Sequence, residues 1–393
     1  VKLLLINSFL HPRGGDTALF FEEWRGWEAR GVEVVPFAMR HPHNLSSPWA
    51  TRFPSWRSPR AAATPVERLR AGLVGVYNPE AAGALASLIQ DVRPHAAHVH
   101  HLHRHLTPSI FPVLRQAGIP SAWTLHDHEL VCPNGLRFTG GAPCHRCAGG
   151  NYAEAVRHRC KDDSLPASVA VAAEKYAHRA FGTAALADRL VCPSRFLFDS
   201  LAADGFPAER LEHVPNLVLA DETPGPIGEN VVFAGRLTPE KGIAVLAAVA
   251  GQLPTVRFDV FGEGPGREQL AASPNVHMHG NTPRATVHAA LARAGAVVVP
   301  SLWPENQPYA VLEAMLLGRT VLASRVGGIP ELIDDGEDGL LVEPGDAVAL
   351  ADGLRRVLAD PAAARTRGQR ARKRVLLNHN ADTFFGRMQA VLR

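Results

Sequence analysis

The stretch PSLWPENQPYAVLEAM, residues 300–315, follows a run, AVVV (296–299), that is apolar at every position. A strand apolar on both sides belongs in a parallel sheet covered by helices, not in a half-exposed antiparallel one. Pro308 stands where a helix begins, since its missing N–H would find no helical partner in the first turn. The reading is strand, loop, helix, with Glu313 in the second helical turn among Val311, Leu312, Ala314 and Met315. A carboxylate in so apolar a turn is costly without a partner. It is either a core glutamate satisfied by a backbone amide or an acceptor for the vicinal hydroxyls of a ribose. Glu305, in the loop beside the amides of the helix start, offers the same chemistry to a hexose.

The same unit recurs on both sides of this stretch. In VVFAGRLTPEKGI (231–243), Gly235 and Arg236 follow an apolar run, and Lys241 stands near a helix start that Pro239 helps to initiate. Two cations at the carboxyl end of a strand, beside a helix N-terminus, suit an anion such as a diphosphate. The plainer alternative is a pair of surface cations on a loop. In FDVFGEGPG (258–266), Gly262 and Gly264 follow another strand and resemble a dinucleotide fingerprint only loosely. Gly327 and Gly328 precede Ile329-Pro330-Glu331, where glycine either admits a ligand close to the backbone or makes a tight turn. Further short apolar runs at 276–279, 321–323 and 340–342 complete the series.

Residues 221–230, DETPGPIGEN, have no apolar period and read as a linker. Before them lie apolar runs at 1–6, 32–37, 96–100, 121–125, 190–192 and 211–214, and a helix-spaced segment at 17–30. Two successive series of this kind predict an α/β protein with two doubly wound Rossmann-like domains, 1–220 and 231–375, followed by a helix at 376–393. Ligands are then expected at the carboxyl ends of the strands, in a cleft between the domains.

The composition agrees. A chain of 393 residues suits two domains at roughly 150 residues each. With 46% apolar and 20% charged residues it is not disordered. A net charge of +3 does not by itself point to nucleic acid. The six basic residues within 365–374 come without aromatics and read as a solvated helix face. No stretch reaches the roughly 18 apolar residues of a membrane span. The first ten residues read as a buried strand rather than a signal peptide, and five cysteines in a chain of this size do not make a secreted disulfide scaffold, so a reducing cytoplasm is expected.

Three motifs in fixed order resemble the family 4 retaining glycosyltransferases of GT-B fold. They are G-R-L-x-x-x-K-G (235–242), P-S-x-x-x-E-N-x-P-x-x-x-L-E-A-M (300–315) and G-G-I-P-E-L-I (327–333). Gly14-Gly15 after the first strand, His126 in TLHDH and Val214-Pro215-Asn216 agree with it. The resemblance implies transfer of a sugar from a nucleotide diphosphate donor to a hydroxyl acceptor, whether glycan, lipid-linked or natural product, without a catalytic metal. It implies that Arg236 and Lys241 neutralise the diphosphate. Glu305 with the amides of Asn306 and Gln307 would hold the donor sugar, and Glu313 the ribose. His126 would touch the sugar or its phosphate, and Gly14, Gly15, Gly262 and Gly328 would line the donor site. The last helix would cross back onto the first domain. A GT-B-fold epimerase or phosphorylase is the rival enzyme class. A non-catalytic sugar-nucleotide module would be expected to lack Glu305 or Lys241, and both are present.

Two features of the first half stand apart. His98, His100, His101, His103 and His105 crowd a strand end, where alternation divides the rings between two faces; packing or cleft-lining is favoured over a metal cluster. Cys132, Cys144, Cys147 and Cys160 fall within 29 residues poor in apolar content. They suit a structural zinc site, one or two disulfides, free thiols or an iron–sulfur cluster; His128, His145 or His158 can replace one ligand. Cys192, after an apolar strand, reads as buried. Residues 40–70 carry six arginines, one glutamate and Trp49, Phe53 and Trp56. They read as an ordered surface loop, an acceptor-recognition surface, or a peripheral membrane contact.

Overall fold

The computed structural model describes residues 1–12, 15–56, 72–219 and 223–393. The chain divides into two compact units. One comprises Val1–Arg137, His145–Val214 and Phe384–Arg393, the other Phe138–Cys144 and Pro215–Thr383.

The first unit is built on a parallel sheet. Its strands are β1 (Lys2–Ile6), β2 (Glu33–Phe37), β3 (Ala96–Val99), β4 (Ser121–Thr124), β7 (Arg189–Cys192) and β8 (Leu211–His213); the two-stranded hairpin β5 (Phe138–Thr139) and β6 (Ala142–Pro143) falls in the other unit. Spatial order is β2-β1-β3-β4-β7-β8. The second sheet uses β9 (Val231–Ala234), β10 (Phe258–Phe261), β11 (Val276–Gly280), β12 (Ala296–Val299), β13 (Val321–Ser324) and β14 (Leu340–Val342), in the order β11-β10-β9-β12-β13-β14. All pairings within both six-stranded sheets are parallel.

The strand positions follow from the apolar runs. Every residue of β3, β4, β10, β12 and β13 is buried, as helices on both faces require. β11, at a sheet edge, alternates, with His277 and His279 exposed. The hairpin β5–β6 carries no apolar signal of its own and was not foreseeable from pattern.

Strand order reverses between β1 and β3 in the first sheet and between β9 and β12 in the second. Crevices at the carboxyl ends of such strands are where open α/β sheets bind ligands. The second reversal brings the loop after β9 beside the loop after β12, which are the two stretches richest in charge-bearing motif residues.

Residues 223–230 are tied down. Arg319, buried, donates through Nη2 to Gly225 O at 2.8 Å and through Nη1 to Pro226 O at 3.1 Å. Four of the basic residues within 365–374 are likewise engaged on the helix Pro361–Asn378. Arg370 pairs with Glu337, Arg374 with Asp334 and Asp338, Arg372 donates to Leu316 O and Arg367 to Gly336 O. No described helix is long and apolar enough to cross a membrane.

Candidate active site

At the end of β9 the chain passes through Gly235 and Arg236 into a single turn, Pro239–Lys241, and then the helix Ile243–Gln252. Glu240 in that turn is buried and gathers the loop. Its Oε1 accepts from Thr238 Oγ1 at 2.6 Å and pairs with Arg236 Nη2 at 3.2 Å, and its carbonyl accepts Leu302 N at 2.8 Å. The β9 loop thereby holds the β12 loop. Arg236 is 59% exposed and presents its guanidinium to solvent.

Lys241 and Glu305 meet across the reversal. Lys241 Nζ lies 2.6 Å from Glu305 Oε1, which also accepts Ser301 Oγ at 2.6 Å. The Glu305 side chain is 5% exposed and that of Lys241 20%, with Nζ 5.2 Å from the centre of the Trp303 ring. The buried carboxylate thus has two donors, and the Lys241 side chain stays one-fifth exposed.

The glycines fit tightly against this frame. Gly327 has φ 59°, and a Cβ there would collide with the carbonyl oxygen of Glu305, while Gly328 N donates to that same oxygen at 2.8 Å. Gly262 has φ 127°, and a Cβ would collide with Gly235 O. At both places glycine lets one loop's backbone lie directly on another. Gly328 and Gly262 shape the loops by these backbone contacts.

Gln307 is buried, and its Oε1 accepts Asn216 N at 2.6 Å, while Asn216 O accepts His379 Nδ1 at 2.9 Å. Tyr309 donates its hydroxyl to Leu217 O at 2.5 Å. The loop carrying Glu305, Asn306 and Gln307 is therefore pinned by residues 216–217. Glu313, in the helix Tyr309–Leu316, lies in its own cluster. Its Oε1 accepts Arg284 Nε at 3.0 Å and Nη2 at 2.7 Å, with His288 Nε2 at 3.0 Å. Burial acts to raise the Glu313 carboxyl, but the hydrogen bond and charge of His288 and the charge of Arg284 outweigh it and hold it below the usual range. Both partners come from the helix Arg284–Leu291, which has no motif signature.

In the first unit Gly14 lies outside the described residues, and Gly15 opens the helix Gly15–Glu28. His126 follows β4 and is half-buried. Its Nε2 lies 3.0 Å from His100 Nδ1, and its ring stacks on His101 with centroids 4.7 Å apart. His98 and His100, two apart, share one face of β3, and both reach the buried carboxylate of Glu23. His103 packs on Trp123 with ring centres 5.3 Å apart. Of residues 40–70, 57–70 lie outside the described ones. Within the rest, Trp56 is exposed and packs edge-on against His41 at 4.8 Å.

Residues 14–222 match the family described as Glycosyltransferase Family 4, and residues 228–360 the one described as Glycosyl transferases group 1. The first match alone takes in more than half of the chain. The chain belongs to glycosyltransferase family 4.

An exopolysaccharide phosphotransferase of Streptomyces coelicolor is 32% identical over 181 residues, 42% of this chain and 19% of that protein. A glycogen synthase of Mycobacterium tuberculosis is 33% identical over 166 residues, 39% of each. The chain therefore spans about a fifth to two-fifths of the length of these curated relatives. Among solved structures, sucrose-phosphate synthase of Thermosynechococcus elongatus matches with a TM-score of 0.66 at 20% identity, over 99% of this chain and 98% of that one. Anabaena HepE in complex with UDP-glucose matches with a TM-score of 0.66 at 17% identity, over 99% of both. The likeness is one of fold and extends over the whole family 4 chain, which has the two Rossmann-like units of GT-B.

The structural zinc expected of the cysteines remains a proposal. None of the five is in a disulfide, and among the described residues no cysteine joins a group of three or more metal-ligating atoms within 4.8 Å of one another. Cys132 is buried and donates to Asn134 Oδ1 at 2.9 Å, while Cys144, Cys147 and Cys160 are half-buried. The alternative histidines are engaged elsewhere: His145 with Arg137 at 3.3 Å, His158 with Glu154 at 3.3 Å, and His128 edge-on to Phe196 with centroids 5.9 Å apart. A buried ion pair, Arg137 with Asp204, also ties this segment down. The ligand-type groups that do gather are Glu23, His98 and His100, and His103, Glu129 and Glu174.

Proposed function

We propose that this family 4 member is a retaining glycosyltransferase that moves a sugar from a nucleotide diphosphate sugar to a hydroxyl acceptor. The observation that carries the reading is the Lys241–Glu305 pair at the strand-order reversal of the second sheet, with Arg236 at its rim. Relatives named as a glycogen synthase and an α-D-kanosaminyltransferase, and a fold neighbour holding UDP-glucose, support it.

In this reading the donor diphosphate sits against Lys241, with Arg236 as the second cation. Negative charge grows on the leaving diphosphate as the glycosidic bond breaks. Fixed cations and helix N-termini stabilise that charge more in the transition state than in the ground state. No metal ion is invoked. Glu305, held ready by Ser301, accepts from the sugar hydroxyls. Glu313, oriented by Arg284 and His288, accepts from the ribose. The leaving phosphate takes the acceptor proton on the same face, so no separate base is assigned.

A thermal-shift screen with nucleoside diphosphates and nucleotide sugars tests the reading. A specific ligand at 100 times its Kd stabilises by about 2.7 kcal/mol. A panel in which no nucleoside diphosphate or nucleotide sugar raises the Tm would overturn it.

A further inference from the structure

Glu23 lies on the helix Gly15–Glu28 with its side chain fully enclosed, and three donors converge on it. Trp27 Nε1 donates to Oε1 at 2.8 Å, His98 Nδ1 lies 2.6 Å from Oε1, and His100 Nε2 lies 3.1 Å from Oε2. An indole N–H only donates, so Oε1 is an acceptor. Burial acts to raise the carboxyl, but the charge of His98 and the hydrogen bonds of His100 and His98 overcome it and hold Glu23 well below the usual range. The group is ionised, and an ionised carboxylate only accepts.

His100 must then carry its proton on Nε2. Burial, with the charge of His98, pushes His100 down to about 4, against the pull of Glu23, so at neutral pH the ring is uncharged and Nδ1 has a lone pair. That lone pair lies 3.0 Å from His126 Nε2. Two ring nitrogens at this distance share one proton, and it can only sit on His126. Trp123 fixes the strand end by donating Nε1 to His100 O at 3.0 Å.

We infer that Glu23, acting through His100, is a positioning residue that fixes His126 as the Nε2–H tautomer. In its uncharged form His126 then has a lone pair at Nδ1. It accepts a hydrogen bond from a substrate hydroxyl and cannot donate one to a phosphate oxygen. The choice of a sugar hydroxyl rests on the transferase reading; the tautomer does not. The same three side chains do not sit as ligands of one ion. Ligands at 2.0–2.1 Å from a tetrahedral zinc lie roughly 3.3 Å apart, whereas His98 Nδ1 and Glu23 Oε1 are in hydrogen-bond contact at 2.6 Å.

Long-range nitrogen–proton NMR of histidine-labelled protein near pH 7 reads the tautomer directly, with His126→Asn identifying the signal. The expected result is His126 protonated on Nε2 in the wild type. In Glu23→Gln, whose amide can donate to His100 and reverse its proton, the Nδ1–H form of His126 should become populated, and kcat/KM should fall about tenfold. A wild-type His126 protonated on Nδ1, a tautomer unchanged in Glu23→Gln, or one bound metal ion per chain lost in that variant would overturn the inference. If Glu23→Gln does not fold, the wild-type spectrum decides. A protein with the expected tautomer that transfers no sugar would overturn the transferase reading and leave the relay standing.

Discussion

Lys241 is held by a carboxylate while its side chain stays partly exposed, and this shapes what its removal should do. On the proposed function, Lys241→Ala takes away the cation nearest the departing diphosphate and leaves Ser301 as the side-chain donor to Glu305. At saturating donor and below the Tm, kcat should fall roughly a hundredfold, about 3 kcal/mol of transition-state stabilisation. Steady-state kinetics with the donor found by thermal shift checks this, and full kcat would remove the diphosphate role. Glu313→Gln should behave otherwise. A ribose contact lies far from the reacting carbon and holds ground and transition states alike, so KM should rise more than kcat falls. Both positions were legible in sequence, because an acid or a cation at a strand end or in an apolar helix is anomalous. Arg284, His288 and Ser301 were not, since a common surface residue type announces nothing until its partner is known.

The strand β3 and its continuation show the limit of pattern at the level of one element. Alternation separates successive residues, but His98 and His100 are two apart and share a face, and the acid that unites them comes from the first helix. Their burial has a pH signature. His100 is pushed down to about 4 by burial and the charge of His98, and His103 to about 3 by burial, which outweighs the charge of Glu129. Unfolded histidine titrates near 6.5. Below that pH the unfolded chain binds protons that the folded one refuses, so stability present above about pH 6.5 is lost as pH falls. Asp127 opposes this: burial and the charge of Glu129 push it up to about 6, so its folded form holds a proton that the unfolded form releases. Burial also lowers His145, His178 and His213, so the histidines outnumber the aspartate and the net effect is a loss of stability as pH falls below about 6.5. Urea unfolding at pH 5 and pH 6 measures it. His103→Leu should remove about one proton from the slope of stability with pH, and an unchanged slope would mean that His103 is not neutral when folded.

At the scale of the whole molecule, the end of the chain returns to its beginning. Phe384–Arg393 belong to the first unit, where the Phe385 ring packs edge-on to Trp27 with centroids 4.6 Å apart and fills the space a side chain at Gly26 would need. Phe385→Ala should destabilise by about 3–5 kcal/mol, and Gly26→Ala, which overfills the same contact, by about 1–3 kcal/mol. Both are read from denaturant unfolding, and a neutral Gly26→Ala would show that the helix does not press there. Trp27 also donates to Glu23, so the C-terminal helix supports the buried relay through one intervening ring. The amino-acid sequence by itself determined the two parallel sheets, because each strand is a local run whose continuous apolar character requires cover on both faces. It also determined the stretches at the strand ends, where charge, glycine and proline interrupt that pattern. The tertiary structure alone decided the pairings: Lys241 with Glu305, 64 positions away, and His98 with Glu23, 75 positions away. Periodicity reports that a residue is buried, but the group it meets is set by how distant elements pack, and no local pattern carries that information.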